Sequence, residues 1–568
     1  MNINIRSEDI VHVVGLTLVL AITLSFMEFA IVGRVSFVSL IAGLILATAV
    51  THYVRRYYVK QEDRKVSKLA LTLALLYAFV IISTYYVYPI FPANQSADFL
   101  VYIERSIVFA TGEATFQDLI TLHPAIYLLL GAVLSLNILN PLFLTRGFML
   151  ILTILNIPLI YMVSKKLYGR LVGELALLIS IFINIFWYYT IIITGLYANF
   201  LGLMLALYLL YLITEYFRSR HRVFLALALL TTLAMLLSHE TTFAILLALW
   251  PSSIYDILAR RSLKLVKTSA VLMSPLALVF LLAPASIRFL RDFIVDYILK
   301  FKTMSLRVML ITPVNPIYNT LKIISPMLAN VYSTTGLSGL TFTILCLTYG
   351  VLLMLRKREG LQLILWFWIL NLLLTSYFTE EAWRLALNAL IPITIFSAAT
   401  AKDIAFKVLG KINSIKLVEK TRRILKYELA AFTIILLFVT SNISLTLAYN
   451  YCRISEKHQQ QYGILEAMEW IKENTPENAK IASIARWQFM YTPYITNRTY
   501  IGDYALAPIQ FLRIISNGIA KLNDTYVIVI VWNKLHNETT YYIKLYRNCE
   551  FFEELWTNNE VTVFKLKN

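Results

Sequence analysis

Four carboxylates fall within about twenty residues of otherwise oily chain: Asp98, Glu104, Glu113 and Asp118, in and just beyond the run SADFLVYIERSIVFATGE. Within the run only Arg105 offsets them. A positioned carboxylate can take the proton of an attacking hydroxyl and act as a general base. A helix over 98–111 sets Asp98, Tyr102 and Arg105 on one face and turns Glu104 away. Two arginines stand at the ends of apolar segments, Arg146 and Arg384. A guanidinium there can stabilise negative charge that develops on a departing phosphate. Each has a structural alternative: Arg146 bridges to Asp98 or Glu104, and Arg384 is neutralised by Glu380 or Glu381. His239 and Glu240, in LSHETTF, either orient a phosphate or sugar and assist the base, or belong to a turn capped by Ser238 or Thr241.

The elements that carry these residues are membrane helices. The chain of 568 residues is 59% hydrophobic and only 15% charged, against about 25% charged in soluble domains. Mean hydropathy is +0.68. About thirteen windows are long and apolar enough to cross a bilayer, near 10–32, 35–54, 69–90, 141–164, 171–189, 195–217, 222–238, 241–258, 265–284, 337–355, 361–378, 385–401 and 429–449. They are too long and evenly apolar for a membrane β-barrel. The first lacks a small-residue cleavage site and reads as retained. The expected fold class is an α-helical polytopic membrane protein with a small extracytoplasmic α/β domain.

The net charge of +18 does not point to nucleic acid, because the basic residues sit in alternate loops: 55–68, 165–170, 218–222, 259–267, 356–359 and 402–426. That is the positive-inside pattern. It places the N-terminus in the cytoplasm, the acidic loop outside and, after thirteen crossings, the C-terminus outside, in the plasma membrane. Asn-X-Ser/Thr sequons at Asn94, Asn497, Asn523 and Asn537 fall on the outer side. Residues 1–68 read as a two-helix extension and basic loop, 69–449 as the transmembrane domain with outer loops 91–140 and 285–336, and 450–568 as the soluble domain. The segment 123–142 is too short for a crossing and reads as a re-entrant or interfacial helix on the outer face. Loop 285–336 carries six cations, from Arg288 to Lys322, against Asp292 and Asp296. It reads either as a contact for phosphate headgroups or the donor's phosphate, or as a loop whose side is the reverse of the one assigned.

The last 119 residues open with a helical pattern ended by Pro476, followed by β-like runs KIASIA, TYVIVIVW, YYIKLY and VTVFKL and a helix near 507–521. Thirteen Lys/Arg balance twelve Asp/Glu there, unlike a nucleic-acid binder. Cys452 and Cys549 lie in this outer domain, where a disulfide can persist. They form either a pair or two unrelated thiols.

Beside this reading stands a resemblance. An acid soon after a span (Asp98), a helical run ending in Gly112, and then HPAIYLLL (123–130) are similar to the GT-C membrane glycosyltransferases, the class of the protein O-mannosyltransferases and aminoarabinose transferases. So are TRGFMLILTILNIPLIYMVSKKLYGR (145–170) and AWRLALNALIPITIFSAA (382–399). The resemblance implies transfer of a sugar from a polyprenyl-phosphate donor to an acceptor glycan, lipid or protein at the outer membrane surface. Asp98 is then the base, and Arg146, Arg384, His123, Tyr102, His239 and Glu240 bind substrate. Many relatives have a second acid near position 199, where this chain has Asn199. No cofactor is therefore expected, and a divalent metal is left open. Residues 470–504 resemble the outer domain of archaeal oligosaccharyltransferases, but ARWQF (485–489) lacks the aspartate of their Trp-Trp-Asp motif. Single-sugar transfer is thus favoured over oligosaccharide transfer, and a non-catalytic binder or transporter of lipid-linked sugar is the third reading. Neither a phosphate-binding Gly-rich loop nor a zinc spacing occurs.

The topology is tested by a cysteine placed in loop 285–336, in a background without native cysteines. A membrane-impermeant maleimide is expected to label it from outside in intact cells. Labelling only after permeabilisation reverses the assignment of that loop.

Overall fold

The computed structural model describes residues 7–58, 67–87, 98–115, 118, 124–182, 196–238, 243–282, 325–376, 382–414, 463–484, 496, 498–503, 527–532, 543–559 and 561–567. Up to residue 414 the described residues form fourteen helices: α1 (Ser7–Val32), α2 (Phe37–Tyr58), α3 (Lys68–Val87), α4 (Asp98–Thr111), α5 (Pro124–Leu134), α6 (Pro141–Tyr168), α7 (Arg170–Phe182), α8 (Tyr197–Ser219), α9 (Arg222–Leu236), α10 (Phe243–Arg260), α11 (Lys264–Leu282), α12 (Pro326–Leu355), α13 (Gly360–Thr375) and α14 (Ala382–Ser414). Among the described residues five stretches are long and apolar enough to cross a membrane: Asp9–Val32, Phe37–Val54, Pro141–Tyr168, Tyr197–Ser219 and Leu385–Ile404.

Burial sorts the helices. α8 is apolar all round and buried from Tyr197 to Glu215, so it is the central post of the bundle. α2 and α3 bare large side chains to the outside, among them Ile45, Leu75 and Phe79. An exposed apolar surface of that extent suits lipid, not water. α1, the first helix of the N-terminal extension, is packed into the bundle. It packs on α2, α5, α6, α8 and α9, and its His12 lies buried among Tyr208, Tyr211 and Phe224. α1 is therefore part of the core, and α2 lies against it at the periphery.

The helix of 123–142 is short. α5 has eleven residues, all buried, and is about 16 Å long at the helical rise. It is too short to span and is enclosed by α1, α2, α4, α6 and α8, packing that suits the re-entrant alternative more than the interfacial one. Loop 285–336 is helical from Pro326, because α12 begins there. The thirteenth window, 429–449, lies outside the described residues.

α4 forms where its pattern predicts and ends in a left-handed turn at Gly112 (φ +84°). The amide of Glu113 donates to the Val108 carbonyl at 3.1 Å, the closure of a Schellman motif. The turn between α1 and α2 braces this region. The Val35 amide donates to the Phe109 carbonyl (3.1 Å), and the Phe37 amide to the Ser135 hydroxyl (2.9 Å). Glu28, a carboxylate inside the first apolar window, accepts from the Ser36 amide (3.1 Å) and hydroxyl (2.5 Å).

In the C-terminal part, β1 (Lys480–Ile484), β2 (Thr499–Asp503), β3 (Val527–Trp532), β4 (Phe552–Thr557) and β5 (Val561–Leu566) form one sheet in the order β2-β1-β3-β5-β4. β1 pairs parallel with β2 and β3, while β5 runs antiparallel to β3 and β4. Helix 463–474 buries Ile464, Ala467, Met468 and Ile471, and Arg498 closes its end by donating to the Thr475 (2.7 Å) and Lys472 (3.0 Å) carbonyls. YYIKLY is not a strand: residues 543–547 are helical. Its burial spacing explains why, since Ile543 and Tyr546 are both buried, three apart.

Gly131 is where α5 touches α4. A Cβ there would lie 2.8 Å from the Ser106 carbonyl and 2.9 Å from a Val35 methyl. Gly131→Val is expected to cost about 1–3 kcal/mol by overpacking, read as a fall in melting temperature of the detergent-solubilised protein. Gly147→Ala, where a Cβ meets nothing within 4 Å, should leave it unchanged or raise it.

Candidate functional site

Asp98 is the first residue of α4. Negative charge at a helix N-terminus is favoured by about 0.3–1 kcal/mol through the aligned peptide dipoles. The Asp98 side chain itself lies outside the described residues. One turn on, Tyr102 is 4% exposed. It stacks on Tyr197 at the start of α8 (centroids 5.8 Å apart, 22° between planes) and leans on Tyr127 of α5 (5.7 Å). Arg105 places its guanidinium carbon 5.9 Å from the centre of the Tyr127 ring, and Phe109 stacks on the same ring at 6.4 Å. This aromatic column locks the acidic helix to α5 and α8. Tyr102, Ile103, Ser106 and Phe109 are buried while Glu104 is exposed, the facing that the helical register predicts.

The flanking helices bring further candidates towards this end. Arg146 is half-buried on α6, five residues in from Pro141, about 8 Å along the axis, and α6 packs against both α4 and α5. α14 begins at Ala382, two residues before Arg384, and also packs on α6. The Arg384 side chain lies outside the described residues. The Ala125 amide donates to the Leu237 carbonyl at 2.8 Å, so the start of α5 meets the end of α9. His123 adjoins the first, and His239 and Glu240 adjoin the second. All three lie outside the described residues, as does Cys452. Cys549 carries a half-buried free thiol.

Two residues that sequence reasoning missed as site elements are Tyr127 and Tyr197. Tyr127 was legible in principle: it falls one helical turn past His123 in HPAIYLLL. Tyr197 was not, because its contact with Tyr102 spans two separate helices. Among the described residues no group of three or more His, Cys, Asp or Glu stands close enough to hold a metal. Asn199 is fully buried on α8.

The acids of the outer stretch differ electrostatically. Asp118 accepts from the Thr115 amide and hydroxyl, both at 2.7 Å, and these bonds hold its carboxyl below the ordinary value. Partial shielding from water pushes the Glu104 carboxyl above its own.

The acids at the opposite end of the bundle are already partnered. Glu215 pairs with Lys166 (2.9 Å), Glu174 with Arg170 (3.0 Å), and Asp256 accepts from the Gly360 amide (2.7 Å). A cavity of about 250 Å³ opens there, between Lys166, Arg218 and Arg260. It is far from Asp98: along α8, Tyr197 and Arg218 are about 32 Å apart at the helical rise.

With this geometry in hand, the fold can be classed: the chain has the GT-C-type fold of polytopic membrane proteins. It is similar to ArnT from Cupriavidus metallidurans, solved bound to undecaprenyl phosphate (TM-score 0.52, 11% identity, covering 88% of this chain and 97% of that one). It is also similar to the archaeal oligosaccharyltransferase AglB from Archaeoglobus fulgidus, solved with an inhibitory peptide and a dolichol-phosphate (TM-score 0.50, 12% identity, covering 84% and 70%). The apo form of the Archaeoglobus fulgidus oligosaccharyltransferase matches at TM-score 0.50 and 13% identity, covering 81% and 69%. No protein-family profile matches the chain, and no curated protein matches it by sequence.

Because the folded protein holds the Glu104 proton more tightly than the unfolded chain, stability falls as pH rises from the ordinary value of 4.5 through the raised one. Glu104→Gln removes that loss. Its melting temperature should exceed that of the parent at about pH 7 and match it at about pH 4, below the ordinary glutamate value. An equal difference at both pH values contradicts this.

Proposed function

We propose that the protein is a membrane glycosyltransferase that moves a sugar from a polyprenyl-phosphate-linked donor to an acceptor at the extracytoplasmic face, with its N-terminus in the cytoplasm. The observation that carries this reading is the anchoring of α4 by the Tyr102–Tyr197 stack (5.8 Å) in a bundle whose fold is shared with two polyprenyl-phosphate-bound structures. The helix that begins at Asp98 is thereby held against α6, which carries Arg146.

In the proposed reaction Asp98 accepts the proton of the acceptor hydroxyl. The hydroxyl oxygen attacks the anomeric carbon from the face opposite the phosphate. The bond from that carbon to the phosphate oxygen breaks, and its electron pair leaves on the phosphate. Arg146 and Arg384 stabilise that negative charge. Direct displacement inverts the anomeric centre. His123, His239 and Glu240 orient the donor, and Tyr102 keeps the base in register. The electron pair of the broken bond stays on the phosphate, so no step needs a redox partner.

A second reading, transfer of an oligosaccharide, is favoured by the likeness to AglB and opposed by ARWQF, which has no carboxylate where those enzymes carry one.

The test is transfer of radiolabel from a polyprenyl-phosphate hexose to acceptors in a membrane extract by the purified protein. Asp98→Asn should lose about 10²–10⁴-fold in rate, while Arg146→Gln should weaken both donor use and turnover. Transfer by Asp98→Asn at the parent rate removes Asp98 from the chemistry. Transfer of lipid-linked oligosaccharide but not of single hexose selects the second reading.

A further inference from the structure

At the basic end of the bundle, the ends of α6, α8, α10, α11 and α13 surround the cavity of about 250 Å³. Five cations line it: Lys166, Arg218, Arg220, Arg260 and Lys264. Two acids do so, Asp256 and Glu359, and Glu215 stands just behind Lys166. We propose that this cavity is a binding site for a phosphate-bearing anion, either the headgroup of an anionic lipid or a small soluble phosphate ester.

The charge distribution carries the proposal. The acids at the cavity are committed. Glu215 pairs with Lys166 at 2.9 Å, both side chains under a tenth exposed. Asp256 and Glu359 share Arg260, at 3.8 and 3.3 Å, and Asp256 also receives the Gly360 amide. Arg218, Arg220 and Lys264 then have no acidic partner among the described residues.

The two arginines are held in place. The Arg218 guanidinium donates to the Lys166 carbonyl. Arg220 takes a left-handed backbone (φ 63°) that ends α8 and lies over the Phe217 ring at 5.7 Å. Solvated cations at a cytoplasmic membrane face are ordinary. Their convergence on one concavity with a floor of buried Lys166, Thr214 and Asp256 is not.

Size narrows the ligand. Drug-sized ligands occupy about 300–1,000 Å³, so this cavity suits a phosphate and a short polar ester, not a whole nucleotide. Basic pockets between transmembrane helices on the cytoplasmic side suit anionic headgroups. Leu258 and Leu355, 79% and 75% exposed on α10 and α12, give acyl chains an apolar surface near the same end. The site is about 32 Å along α8 from Tyr197, so it is separate from the one proposed for the sugar donor, and the proposal stands whether or not that reading holds.

The experiment measures binding, not transfer. The full chain is reconstituted in nanodiscs of phosphatidylcholine, with or without phosphatidylglycerol. Lipid retained through delipidation is quantified by native mass spectrometry, and melting temperature is followed on titration with inorganic phosphate and glycerol phosphate. Selective retention of phosphatidylglycerol, at least about ten-fold over phosphatidylcholine and weakened as much in the Arg218→Gln/Lys264→Gln variant, is the result expected for a headgroup site. A saturable rise in melting temperature with phosphate or its ester in discs without anionic lipid, lost in the same variant, assigns the soluble source. Arg218→Lys should retain part of either effect and so guards against a variant that merely misfolds. Neither selectivity nor a saturable shift in the parent protein overturns the proposal, and so does binding that the double substitution leaves unchanged.

Discussion

The stack of Tyr102 on Tyr197 is the contact on which the acidic end of the molecule depends. α4 is amphipathic and only fourteen residues long, marginal as an isolated helix in water. Its buried face, Tyr102, Ile103, Ser106 and Phe109, supplies what propensity does not. Aromatic pairs contribute about 0.5–1.5 kcal/mol beyond the area they bury. Three such rings, on α4, α5 and α8, tie an acidic loop helix to the central post of the bundle. Everything proposed for Asp98 presupposes that this helix has one place to be.

The same economy of polar groups governs the other end. A buried carboxylate without a partner is costly, and breaking a buried pair costs about 3–5 kcal/mol. Glu174, Glu215 and Asp256 each have a named cation or amide in reach, so none is left as a free ionisable group along the bundle. The surplus of charge is positive and sits at the rim. The two ends therefore differ in kind: one is locked by aromatic rings, the other gathers cations around a cavity.

Much of this was legible in the chain. The window near 195–217 became α8, and the helix from Asp98 to Gly112 closed where the glycine stands, because period and capping are local signals. What escaped was set by distant contacts. α1 joined the core through His12 and its aromatic neighbours on α8 and α9, which no local pattern marks. YYIKLY has the β-branched and aromatic content of a strand, yet Tyr546 packs on Phe552 (4.8 Å) and Phe564 (5.6 Å), and burial three residues apart favoured a helix. β4 was missed because Glu553 and Glu554 interrupt its apolar alternation, as charges on edge strands often do. The Tyr197 partner of Tyr102 was missed for the same reason as α1: it is a fact of packing between helices.

The strand order of the sheet has a bearing on biosynthesis. β5 lies between β3 and β4, although β3 precedes it by more than twenty residues of chain. Until that late segment has been synthesised, β3 presents an unpaired edge and β4 has no neighbour. The sheet therefore closes only after the chain through Leu566 is made, which makes its assembly one of the last events of folding and leaves a sticky edge open to quality-control proteases in the interval.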